Sequence, residues 1–239
     1  MATHAPLKGR VRAPVNLQAQ SRVTTRRPTE REERANAWTH GIGALLSLLA
    51  AVSLIVLPPV RASSVTIASC IAFCIAALIT MGASTAHHAS VCERKKRLFL
   101  AFDHAAIGIL IAGSWTAFAA VSLPARDLPP LLAGLWSAAS IIAIEQFVCL
   151  SRGCEPWLEQ YSAALFLAMG WIPVAIYGDK VLAGLPYDSA VLLSAGCLSY
   201  TTGVVAYVAR RVPFHHAVWH VLVVAGATLH FFALRAALA

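Results

Sequence analysis

The sequence predicts an all-α integral membrane protein of seven transmembrane helices, with the N-terminus in the cytoplasm and the C-terminus outside. Three observations point there. The 239-residue chain is 58% hydrophobic and only 13% charged, against about 45–50% apolar and about 25% charged in soluble domains. Its mean hydropathy is +0.68. Its apolar residues fall into seven long runs, not into the short alternating segments of a β-barrel.

The runs cover about 37–57, 63–87, 98–121, 128–149, 161–178, 189–208 and 214–237. Residues 1–36 ahead of them are polar and lack apolar periodicity, so a disordered cytoplasmic tail is expected there. The tail carries Lys8, Arg10, Arg12, Arg22, Arg26, Arg27, Arg31 and Arg34 against three acids. Anionic lipid headgroups beside the membrane fit this charge more simply than a nucleic acid. The first apolar run starts too late for a secretory signal peptide.

Turn or charge signals mark each break: LPPVRASS, VCERKKR, LPARDLPP, SRGCEPWLEQ, GDKVLAGLPYD and ARRVP. Pro173 lies inside the fifth run, where a membrane helix tolerates it as a kink. Threading seven helices puts 15 basic residues on the side of the tail, Arg94 to Arg97, Arg152, Arg210 and Arg211. Only Arg61, Arg126, Lys180 and Arg235 fall on the other side. The basic side is the cytoplasmic one. The cysteines Cys70, Cys74, Cys92, Cys149, Cys154 and Cys197 form no CxxC pair and read as small apolar side chains.

Polar residues then converge at one depth. Ser84 and His88 are four apart near the end of helix 2, and Asp103 lies about one turn into helix 3. His216 and His220 form an i,i+4 pair at the start of helix 7, with His220 only ~9 Å in. All five fall in the cytoplasmic third of the membrane, where an ionisable group is costly unless partnered. Two imidazoles at i,i+4 can reach one ion, and a third would come from helix 2. Three nitrogens and an open fourth position suit zinc. Alternatively, the histidines sit at the interface with their tips in water, and Asp103 pairs with a loop lysine or caps helix 3. His40 begins helix 1 at the same depth, either lining the site or serving the helix entry. His87, His104 and His215 fall on other faces, and Glu145 reads as interfacial or bundle-facing. His230 lies ~15 Å beyond His220, too far to share an ion.

Several segments resemble the hemolysin III family, the bacterial branch of the progestin and adiponectin Q receptor superfamily. They are NAWTHGIGALLS (36–47), ASTAHH (83–88), FDHAAIGILIAGSWTAF (102–118), MGW (169–171), YTTGVVAY (200–207) and HAVWHVLVVAGATLHFF (216–232). Together they are in order and span about 37–232. His87, Trp115 and Ala117 depart from the family's usual aromatic, Tyr and Pro. The resemblance implies a zinc ion held by His88, His216 and His220, with Ser84 and Asp103 beside it. It also implies a multi-pass protein of the bacterial inner membrane. The superfamily is related to alkaline ceramidases, so the expected activity is zinc-dependent hydrolysis of a lipid amide or ester. Membrane lipids or a fatty acid are then the expected partners. Asp103 would act as general base and Ser84 would steady the oxyanion or a water. Two other functions fit the family: a pore-forming hemolysin, and a non-enzymatic sensor of membrane lipid state with a structural zinc.

Overall fold

The computed structural model describes residues 28–59, 62–154, 156–157 and 161–239. Among them run seven helices long and apolar enough to cross a membrane. They are α1 Glu30–Val56, α2 Ser64–Ala89, α3 Glu93–Ser122, α4 Leu128–Arg152, α5 Ser162–Ala183, α6 Tyr187–Val208 and α7 His215–Ala237. A 3-10 turn, Ala125–Asp127, leads into α4. No strand occurs among the described residues.

The first helix starts at Glu30, seven residues ahead of the expected boundary. Thr29 and Glu32 form a capping box, each satisfying a backbone N–H of the other. Residues 30–36 therefore belong to the helix, not to a tail. Residues 1–27, with their expected disorder and lipid-headgroup contacts, lie outside the described residues. Helix α3 also starts early, at Glu93, so the basic ERKKR run forms its first turns. Asp103 is consequently ten residues into the helix, ~15 Å along its axis and not one turn in. Helix α5 continues to Ala183, past the expected end at 178, and keeps Pro173 inside it.

Helix α2 lies between α1 and α3, α4 flanks α3, and α6 pairs with α7. Contacts between α1 and α7 close the bundle on one side. Helix α5 rests on α3 but scarcely touches α6. Small residues allow the closest approaches. A Cβ on Gly113 would stand 2.8 Å from the Ala76 Cβ, and one on Gly108 would stand 3.3 Å from the Ala139 Cα. Leu54, Phe73, Met81, Leu110, Phe118 and Leu234 fill the centre. Ile42, Leu49, Ile55, Ile141 and Ile144 point outward, as lipid-facing positions do in a membrane helix.

Contacts between helix ends confirm the up-down threading. Arg235 donates to the Leu57 carbonyl at 2.9 Å, and Lys180 pairs with Asp127 at 2.6 Å, both at one end. At the other end the Phe214 N–H donates to Glu32 at 2.9 Å. That bond holds Phe214, the one non-glycine residue with positive φ (58°) among those described, at the start of α7. The helix bearing His216 and His220 is thereby tied to the capping box of α1.

Candidate metal centre

His88 ends α2, and His216 and His220 open α7. One ring nitrogen from each lies within 4.8 Å of the other two. The ring centroids are 5.1 Å apart for His88–His216 and for His88–His220, and 4.5 Å for His216–His220. These three side chains form a cluster that could hold a metal ion.

Two of the rings, His88 and His220, are oriented by their outer nitrogens. His88 Nδ1 lies 2.6 Å from a carboxylate oxygen of Glu33. A carboxylate only accepts, so Nδ1 carries the hydrogen, and in the neutral ring Nε2 presents its lone pair. That Nε2 is buried and has no hydrogen-bond partner. A buried lone pair left open in this way fits a metal ligand. The other Glu33 oxygen takes a 2.7 Å bond from Lys96, which fixes the carboxylate from α3. His220 is held similarly: its Nδ1 lies 3.1 Å from the Asn36 carbonyl and 3.2 Å from Thr39 Oγ1. The Thr39 hydroxyl also contacts the Ala35 and Asn36 carbonyls. Donor set, oriented rings and an orphaned nitrogen all suit a metal of zinc's preferences.

Ser84 and Asp103 reach the same place. The Ser84 hydroxyl is 3.5 Å from His220 Nε2, and the Asp103 carboxylate lies next to Ser84. Both are buried. His40 lies closer than a helix-entry role requires. Its ring stacks on His220 with centroids 3.5 Å apart and an 11° tilt, and both its nitrogens are buried without hydrogen-bond partners. His87 and His215 are engaged elsewhere. His87 Nδ1 meets the Lys96 carbonyl at 3.0 Å, and His215 Nδ1 meets the Ala206 carbonyl at 3.1 Å.

Asp103 and His40 also line the end of a cavity of about 280 Å³. Its walls are largely apolar, including Ile107, Leu110, Phe118, Val174, Leu182 and Val223 of α3, α5 and α7.

The family model described as "Haemolysin-III related" matches residues 29–231. The chain belongs to that family. A hemolysin-3 homolog of Bacillus subtilis (strain 168) is 34% identical over 210 residues, 85% of this chain and 93% of its own length. Hemolysin-3 of Bacillus cereus is 29% identical over 208 residues, 84% of this chain and 90% of its own. An adiponectin receptor protein of Drosophila melanogaster is 27% identical over 220 residues, 83% of this chain and 49% of its own. With seven spanning helices and these bacterial relatives, this haemolysin-III-related protein is a multi-pass protein of the bacterial plasma membrane.

Glu33, Lys96 and Asn36 were not among the residues singled out from sequence. The Thr-x-x-Glu capping pattern at 29–32 was the available signal that α1 starts early enough to carry Glu33 to the site.

Proposed function

We propose that His88, His216 and His220 hold a zinc ion, and that the protein hydrolyses an amide or ester bond of a membrane lipid. The observation that carries this is the buried, unpartnered His88 Nε2 within the three-histidine cluster, together with Asp103 lining an apolar cavity. A bound zinc ion lowers the pKa of a water towards ~7 and polarises a carbonyl. The cavity takes the acyl chain and keeps bulk water from it. The Asp103 carboxylate accepts a proton from the attacking water and returns it to the departing nitrogen or oxygen. Water thus adds across the bond, giving a fatty acid and an amine or alcohol. The Ser84 hydroxyl, next to Asp103, is placed to aim that carboxylate. The positive-inside rule supports a cytoplasmic place for this end of the bundle, where Arg31, Arg34, Arg94 to Arg97, Arg152, Arg210 and Arg211 cluster.

The Drosophila relative is named a receptor, and the same ion and cavity serve a lipid-state sensor equally well. The Bacillus cereus relative is named a hemolysin, but a pore needs a continuous polar lining and this cavity's walls are largely apolar. Lipid turnover separates the first two functions. Purified protein in lipid nanodiscs, offered ceramides and phospholipids, releases fatty acid, and Asp103→Ala abolishes release while retaining zinc. Stoichiometric zinc with no release from any lipid leaves the sensor.

A further inference from the structure

A second polar cluster lines the same cavity far from the metal centre. His230 is ten residues beyond His220 on α7, ~15 Å along the helix. It is 5% exposed, enclosed by Phe118 and Tyr200 at 5.2 Å between ring centroids. Its Nε2 faces the Cys197 sulfur at 3.8 Å. Its Nδ1 has no hydrogen-bond partner, and neither has the buried Tyr200 hydroxyl. Both side chains line the cavity.

Two orphaned polar groups inside a membrane bundle are expensive unless something pairs with them. The metal-centre chemistry uses neither. Their combined hydrogen-bonding demand specifies the partner. Nδ1 donates in one tautomer and accepts in the other, and a phenol does both. An alcohol also does both, so it matches the pair in either tautomer. A carbonyl cannot serve a lone-pair Nδ1, and a carboxylate would bring a charge to this depth.

We propose that His230 and Tyr200 form a subsite for a hydroxyl group carried on the middle of the lipid chain lodged in the cavity. The protein thereby selects hydroxylated chains over plain ones. This rests on a lipid occupying the cavity, as in the proposed function, but on neither zinc nor hydrolysis.

The test compares binding of stearate, a mid-chain hydroxystearate and 2-hydroxystearate to the full-length protein in nanodiscs. Wild type binds the mid-chain hydroxystearate about tenfold more tightly than stearate, the size of one or two net hydrogen bonds. The 2-hydroxy isomer gains nothing. Tyr200→Phe removes one oxygen, loses most of the preference and keeps stearate affinity within about twofold. His230→Phe does the same if it folds; Tyr200→Phe decides if it does not. Equal binding of stearate and the mid-chain isomer overturns the subsite alone and leaves it to water. A preference that survives Tyr200→Phe, or extends to the 2-hydroxy isomer, overturns it too. Failure of all three fatty acids to bind overturns the subsite together with the lipid-filled cavity.

Discussion

His88 Nδ1 and a Glu33 carboxylate oxygen stand 2.6 Å apart, joining the end of α2 to the start of α1. A carboxylate behind a ligating imidazole fixes its tautomer and raises its basicity. Glu33→Gln keeps the shape but removes the charge and one of the two acceptor oxygens that His88 and Lys96 use. Zinc affinity, read by chelator competition, should fall about 10–100-fold. Thermal unfolding of the metal-free protein should change little, which separates metal positioning from a general structural role. Unchanged affinity would remove Glu33 from the metal centre.

The capping box predicts a local stability effect. Thr29→Ala removes the acceptor for the Glu32 N–H and should cost about 1 kcal/mol in reversible unfolding in mixed micelles. Glu32→Ala should cost more, because it also strips the Phe214 N–H of its partner at the start of α7. Equal costs would mean that the α1–α7 tie contributes nothing.

These residues mark where sequence reasoning stopped. Ser84, His88, Asp103, His216 and His220 were legible because i,i+4 spacing and common depth are local properties of helices. The seven helices were legible from apolar runs. Glu33 was hidden because polarity, not capping, set the expected start of α1, and it was counted with the tail. His40 stacking on His220, and Lys96 bracing Glu33, depend on how α1, α3 and α7 meet, which no spacing encodes. The ERKKR run read as a loop because charge was taken as a break, although Lys and Arg are good helix formers beyond the membrane edge.

Close helix contact gives a third prediction. Gly113→Val drives its branches into Ala76 and the α2 backbone and should destabilise the bundle by about 1–3 kcal/mol. Gly134→Ala meets nothing within 4 Å and should be neutral or slightly stabilising. The pair of unfolding curves checks both.

Cys92 tests the orientation. It is the N-cap of α3, exposed, and the Lys95 and Arg94 backbone N–H groups pull its thiol pKa below the usual value. A lowered pKa keeps the thiolate populated to lower pH, so alkylation should persist below the range where a free cysteine slows. In a variant keeping only this cysteine, an impermeant maleimide should label inside-out vesicles and spare right-side-out ones. The reverse pattern would invert the topology.

The central claim is that three histidines from α2 and α7 hold one metal ion, and elemental analysis tests it most directly. Protein purified from zinc-replete cells without chelators should carry one zinc per chain, and His88→Ala and His216→Ala should each lose it while remaining folded. Wild type without stoichiometric metal, or variants that keep it, would contradict the account.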